Sequence, residues 1–117
     1  MTRFLILYRS EAALGDGPSV SEMFANTPPE QLAAGMAAWT AWQEKSGNAV
    51  VDLGAPLDKS TVVSEGASSP IKSSITGYTI LQAASLDEAV ALMKDHPHFY
   101  RPGASVEILE CVAIPGM

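Results

Sequence analysis

The chain has 117 residues, of which 47% are hydrophobic and 17% charged; this predicts one folded domain, residues 1–117, and excludes a disordered chain. The net charge of −6 has the wrong sign for binding nucleic acid or an anionic membrane surface, so neither is an expected partner. The single cysteine, Cys111, can form no internal disulfide. Because the first apolar run is too short for a signal peptide or a membrane span, we expect a cytoplasmic protein.

The N-terminal third predicts a strand followed by a long loop and a helix. Residues 2–9 are apolar in the middle and predict a central strand that is buried on both faces. Thr27 and Glu30 have the spacing of a capping box, with Pro28 as the first helical residue and Gly47 just past the end. One stripe of this helix, at helical spacing, comprises Leu32, Met36, Trp39 and Gln43.

The middle of the chain predicts short strands. The runs 48–53 and 59–64 favour either a hairpin or one bent strand. The Ser-rich segment 64–74 is typical of a surface loop. Residues 75–83 predict a third long strand with no strongly polar face.

The C-terminal part predicts a second helix and a last strand. Ser85 and Glu88 have the spacing of a capping box, and Pro97 prevents the helix from continuing. Residues 105–113 alternate as a strand, in which Cys111 is expected to be a small buried side chain.

This order of elements predicts an α+β, ferredoxin-like split βαβ fold with both helices on one face of an antiparallel sheet. Neighbouring apolar residues such as Ile6 and Leu7 point to opposite faces, so the face without helices is apolar too. A second copy of the chain would cover it, giving a homodimer in which two sheets form a dimeric α/β barrel. Alternatively, loops 10–26 and 64–75 fold over the sheet.

Several segments together resemble the YCII-related protein family over nearly the whole chain: Phe4–Tyr8, Trp42–Gly47 with Val51–Leu57, Gly77–Ala83 with Ser85–Ala89, and His96–His98. The resemblance implies a dimeric α/β barrel of ferredoxin-like subunits. Two departures concern function. One branch of that family has a proposed catalytic histidine in the first helix, where residues 28–46 contain none. A second branch is named for an Asp-Gly-Pro-Phe segment, where this chain has Ser-Ser-Pro-Ile at 68–71.

Both histidines, His96 and His98, flank Pro97 after the second helix. Histidine is the side chain best suited to acid or base catalysis near neutral pH, and Asp95 or Asp52 could orient one ring. Asp52 stands in an apolar strand, where a buried carboxylate would need a partner. Alternatively, the histidines cap the helix end. The residues that could bind a metal are too few, and no motif for a cofactor is present.

A small-molecule pocket is the second hypothesis. Trp39, Trp42, Met36 and Tyr78 could line an apolar pocket between the first helix and the sheet. Arg9 could then hold a carboxylate of the ligand. Alternatively, the tryptophans belong to the core and the arginine is solvated.

The sequence therefore favours a small-molecule-binding protein or a cofactor-independent enzyme that uses His and Asp side chains for acid–base chemistry. The alternative is a non-catalytic dimeric binding or regulatory module. The two differ in whether His96, His98 or Asp52 faces a cavity.

Overall fold

The computed structural model describes all 117 residues. It contains three α-helices and six β-strands, together with 3-10 turns at Glu11–Leu14, Gly47–Ala49 and Pro97–Tyr100. In chain order the elements are β1 (Thr2–Ser10), α1 (Val20–Asn26), α2 (Pro29–Ser46), β2 (Val50–Asp52), β3 (Ser60–Ser64), β4 (Ala67–Ile71), β5 (Ile75–Ala83), α3 (Leu86–Leu92) and β6 (Ala104–Glu110). None of the helices is long and apolar enough to cross a lipid bilayer.

Four strands form an antiparallel sheet in the order β2-β5-β1-β6. β1 lies inside this sheet, paired with β5 on one side and β6 on the other. The connection through α2 therefore passes over β5, and the connection through α3 passes over β1. The expected mixed α+β class and the antiparallel sheet are confirmed, as is the position of β1 at the centre.

One face of the sheet packs against α2 and α3 and forms the core. Phe4, Ile6 and Tyr8 of β1 are buried there beside Leu81 of β5. The same cluster contains Trp42 of α2, Ala89 of α3 and Met93, which directly follows α3. Because side chains alternate along a strand, the remaining β1 residues point to the other side.

The other face of the sheet, which we call the helix-free face, is formed by Leu5, Leu7, Tyr78, Ile80 and Leu109. The pairing places Leu5 beside Ile80 and Leu109, and Leu7 beside Tyr78. These side chains remain partly accessible, and Leu109 is 39% exposed. No helix or strand packs extensively on this face. Segments 10–26 and 64–75 fold instead into α1 and a hairpin.

The predicted start of the first long helix is wrong. A short helix, α1, occupies the expected loop, and the Thr27 hydroxyl donates to the carbonyl oxygen of Met23 rather than accepting from the next helix. Pro28 is extended, with φ −57° and ψ 143°, and α2 begins at Pro29. The physical reason is that a residue before a proline avoids the helical region, so Pro28 cannot begin the helix. The predicted end at Gly47 is confirmed, with φ 59°.

The predicted cap at Ser85 is confirmed, although the Glu88 carboxylate bonds to the residue before Ser85 and not to Ser85 itself. The Ser85 hydroxyl accepts from the N–H of Glu88 at 3.2 Å, and the Glu88 carboxylate accepts from the N–H of Ala84 at 2.9 Å. Both bonds satisfy N–H groups that have no partner within a helix.

We expect Ser85→Ala to lower the free energy of unfolding by about 0.5–2 kcal/mol, because the N–H of Glu88 loses its acceptor. Thr27→Ala is the matched control, since Thr27 caps no helix N-terminus; its effect should stay below about 0.5 kcal/mol. Urea unfolding followed by circular dichroism measures both. Equal losses in the two variants would contradict this assignment of the caps.

The middle strands differ from both predicted alternatives. β2 joins the edge of the sheet beside β5. β3 pairs with β4, which lies within the segment predicted as a loop. Gly66, with φ 77°, completes the turn between them. Serine-rich strands lack the apolar alternation that marks a half-buried strand, so the sequence pattern did not indicate β4.

The last strand ends at Glu110, three residues earlier than predicted. The N–H of Cys111 still donates to the carbonyl oxygen of Arg3 at 2.9 Å. β1 begins at Thr2, so later residues find no partner strand. Cys111 is therefore exposed, and the expectation that it is buried is wrong.

Candidate functional site

The two histidines lie in the interior, between the sheet and the helices. His96 is fully buried and His98 is 9% exposed. Nδ1 of His96 accepts from the backbone N–H of His98 at 3.0 Å, so His96 caps the 3-10 turn that begins at Pro97. The alternative prediction, that the histidines cap the carbonyl end of the helix, is therefore wrong: His96 accepts at the start of the next turn, and His98 contacts carbonyl oxygens of two strands.

A chain of hydrogen bonds connects His96 to the sheet. His96 Nε2 lies 3.3 Å from Tyr8 Oη, which lies 2.8 Å from Thr79 Oγ1. Thr79 Oγ1 donates to the carbonyl oxygen of Leu53 at 2.7 Å. The threonine proton is thus used, so the Tyr8 hydroxyl must donate to Thr79, and His96 Nε2 must donate to Tyr8.

This direction agrees with the other ring nitrogen of His96. Nδ1 accepts a hydrogen bond, so the proton of a neutral imidazole is on Nε2. Burial, with the nearby His98 as a smaller cause, lowers the pKa of His96 to about 4. Burial also raises the pKa of Tyr8 to about 12, against the smaller opposite effect of the Thr79 hydrogen bond. Both groups are therefore neutral at pH 7.

The tryptophans pack around His96 and do not line a pocket between α2 and the sheet. The ring centroids of Trp39 and Trp42 lie 4.5 and 4.4 Å from that of His96, and Trp39 also contacts Tyr8 at 4.9 Å. Trp42 Nε1 donates to the carbonyl oxygen of Leu92 at 2.9 Å. The imidazole of His96 thus fills space that was predicted to be a pocket between the first helix and the sheet.

His98 connects the ends of two strands. Its Nε2 lies 2.9 Å from the carbonyl oxygen of Arg9 on β1 and 3.0 Å from that of Ser105 on β6. Carbonyl oxygens only accept, so Nε2 carries a proton and donates to both. These contacts position the turn against the sheet.

Neither predicted carboxylate partner is hydrogen-bonded to a histidine. Asp95 is exposed and adopts a left-handed backbone conformation with φ 61°. Asp52 is also exposed, and its Oδ1 accepts from the N–H of Gly54 at 2.9 Å, as in an Asx turn. The expectation that Asp52 is a buried carboxylate is wrong, because the short strand β2 is at the sheet edge and Asp52 is its last residue.

The remaining predicted ligand residues are separated from the tryptophans. Met36 is 65% exposed on α2, and Tyr78 lies on the helix-free face. Arg9 is exposed, where its guanidinium contacts Glu107 at 3.2 Å and Ser74 Oγ at 3.1 Å. Only Trp39 and Trp42 of the five predicted ligand residues therefore lie together.

An open groove, which we call the α2 groove, lies between α2 and the 3-10 turn after α3 and has a volume of about 210 Å³. Its lining combines apolar and aromatic side chains with charged ones: Ala38, Ala41, Trp42, Lys45, Lys94, Asp95, Pro97 and Tyr100. The ammonium groups of Lys45 and Lys94 have no ion-pair partner, since the ion pairs of the chain are Arg9–Glu107 and Lys72–Asp16. Sequence reasoning missed both lysines, although Lys45 follows Trp42 at helical spacing.

A second groove, lined by residues of α3, β5 and the 3-10 turn Gly47–Ala49, is larger, at about 570 Å³. Two of the polar side chains in it, Gln82 and Glu88, already have partners. Gln82 Nε2 donates to the carbonyl oxygen of Asn48, and the Glu88 carboxylate accepts from Ala84. The α2 groove is therefore the better candidate for a charged ligand despite its smaller volume.

No group of three or more His, Cys, Asp or Glu side chains is arranged to hold a metal ion. Comparison with known proteins finds no family model that matches the chain and no matching curated protein.

Proposed function

We propose that the protein is a homodimeric, non-catalytic binding module that holds a small organic anion in the α2 groove. The observation that carries this proposal is the pair of ammonium groups without an ion-pair partner, Lys45 and Lys94, in the same groove lining as aromatic and apolar side chains. Small-molecule sites typically combine an apolar lining with a few polar groups that fix the orientation of the ligand.

The groove lining indicates the chemistry of the ligand. The ring of Tyr100, which is 74% exposed, offers a flat apolar surface to a planar body, whereas Trp42 and Pro97 in the same lining are almost completely buried. A carboxylate at one end would contact Lys45 and Lys94. Asp95 at the same groove would repel a second anionic group. We therefore expect a monoanion of about the size of benzoate.

The hydrogen bonds of the histidines support a binding role over acid–base catalysis. Both ring nitrogens of His96 are engaged, the chain through Tyr8 and Thr79 ends at a backbone carbonyl oxygen, and no carboxylate takes part. A cofactor-independent enzyme remains the alternative proposal. It would require Trp39 to move away from Tyr8 and His96, so that a substrate could reach the pair.

The accessible area supports the homodimer. A folded monomer of 12.3 kDa typically exposes about 6,100 Å², whereas this chain exposes 8067 Å². The difference, about 2,000 Å², is of the size that one subunit buries in a large homodimer interface.

We propose that the helix-free face provides this interface, so that two sheets pack into a dimeric α/β barrel. The strand order and the crossovers through α2 and α3 are those of a ferredoxin-like split βαβ and support this architecture. Membership in the YCII-related family is part of the same proposal.

Benzoate is the probe for the α2 groove. We expect it to shift the indole NMR signal of Trp42 at millimolar concentration, and Lys45→Met or Lys94→Met to weaken binding about tenfold, because each removes one charge–charge contact. Lys59→Met, outside the groove, is the matched control. Benzyl alcohol, which has no charge, should bind weakly to all variants. If the lysine variants bind benzoate as the wild type does, the anion site is wrong.

A further inference from the structure

We propose that the β3–β4 hairpin, Ser60–Ile71, is an arm that docks on a second copy of this chain. We call it the hairpin arm. The inference rests on the homodimer of the proposed function and adds an interaction surface to it. It does not depend on the α2 groove.

The hairpin arm has almost no support from its own subunit. β3 and β4 pair only with each other and form a separate two-stranded sheet. All residues of β4 are exposed, as are all of β3 except the half-buried Ser60. An isolated two-stranded hairpin is at best marginally stable in water. Ordering of the arm therefore calls for a surface that covers it.

The arm presents apolar side chains on both faces. Val62 and Ile71, each 47% exposed, share one face, because the pairing puts Val62 beside Ser69 and Ile71 beside Ser60. Val63, 76% exposed, lies on the opposite face with Pro70. The only charge on the arm is Glu65 in the turn. Few charges and accessible branched side chains suit the buried part of an interface.

The shape of the subunit favours a second copy as the occupant. Its radius of gyration is 15.8 Å, whereas a compact chain of this length has about 13 Å. The dimensions of 45 × 41 × 21 Å describe a flat body. A flat body with about 2,000 Å² of surplus surface matches a subunit of an extensive dimer more closely than the partner of a small transient contact.

The segment that directly follows the arm, residues 72–74, borders the helix-free face. Arg9 Nε donates to Ser74 Oγ at 3.1 Å, and the N–H of Ser10 donates to the carbonyl oxygen of Ser74 at 2.8 Å. Arg9 also contacts Glu107, which is paired with Leu7 on the helix-free face. The arm thus ends beside the proposed interface. In a two-fold dimer each arm would contact the other subunit in the same way.

Sedimentation equilibrium of the full chain tests the arm. We expect a dimer for the wild type. Val62→Asp and Val63→Asp each place a carboxylate on one face of the arm, and the variant whose face is buried in the dimer should have a dissociation constant at least about tenfold higher, because its carboxylate has no partner there. The double variant should show the larger effect. Val90→Asp, at a 54% exposed valine on α3, is the matched control and should dimerise as the wild type does.

Hydrogen exchange provides a second readout that does not need a variant. Backbone amides of 60–71 should exchange more slowly in concentrated solutions, where the dimer forms, than in dilute ones. If the wild type dimerises but neither valine variant dissociates more readily and exchange in the arm is unchanged, the arm proposal is overturned while the homodimer stands. A wild type that is monomeric at every concentration overturns the homodimer and the arm with it.

Discussion

Replacing Leu7 by aspartate is expected to raise the dissociation constant of the proposed dimer by at least about a hundredfold, since a buried charge without a partner costs several kcal/mol. Leu7 lies on the helix-free face in β1, an inner strand of the sheet, next to Tyr78 on one side and Glu107 on the other. The new carboxylate would also lie beside the carboxylate of Glu107 on the neighbouring strand. This repulsion acts within one subunit and destabilises the subunit itself.

Analytical ultracentrifugation of Leu7→Asp at micromolar concentration measures this effect, and circular dichroism checks that the subunit keeps its fold. Leu5→Asp, on the same face, should act in the same way. Leu86→Asp is the matched control, because Leu86 is 52% exposed at the start of α3, where aspartate is well tolerated. A Leu7→Asp dimer as tight as that of Leu86→Asp would exclude the helix-free face as the interface.

The sequence predicted those parts of the fold in which a local pattern and the tertiary structure agree. The apolar run of β1 indicated a central strand, and this strand is paired on both sides. The Ser85 capping box indicated the start of α3, and the cap forms. Each of these patterns involves a few neighbouring residues, and the contacts with the rest of the fold favour the same local structure.

The predictions were wrong where contacts between residues far apart in the chain determine the structure. The strand β4 has no apolar alternation, and only its pairing with β3 makes it a strand. Thr27 has the spacing of a cap, but the following Pro28-Pro29 pair shifts the helix start past it. Cys111 continues an alternating pattern, but no partner strand extends beside it.

Predicting the candidate site also required contacts between residues far apart in the chain. Sequence reasoning selected His96 and His98 and assigned a carboxylate as partner, because carboxylates commonly orient histidines. The actual partner of His96 is the hydroxyl of Tyr8, 88 residues away in the chain. A tyrosine at the end of a buried strand was a weak signal, since a buried hydroxyl must find a hydrogen-bond partner.

Because His96 is buried, we expect the free energy of unfolding to depend strongly on pH. The pKa of His96 is about 4 in the folded protein, below its ordinary value of 6.5. Between these two pH values the unfolded chain binds a proton at this residue and the folded protein does not. The stability that neutral His96 provides is therefore complete above pH 6.5 and is lost as the pH falls toward 4.

We expect this residue alone to lower the free energy of unfolding by about 2 kcal/mol between pH 7 and pH 5. His96→Asn should remove that part of the pH dependence, because the Asn side-chain oxygen can accept from the N–H of His98 in place of Nδ1 but does not titrate. The variant will be less stable at pH 7, since it loses the bond to Tyr8 and the ring contacts with both tryptophans. The informative quantity is therefore the change of the free energy of unfolding with pH, measured by urea unfolding at pH 7, 6 and 5. The carboxylates are common to both proteins, so their contribution cancels when the two pH dependences are subtracted. Equal pH dependence in the two proteins would mean that His96 is not held neutral by burial.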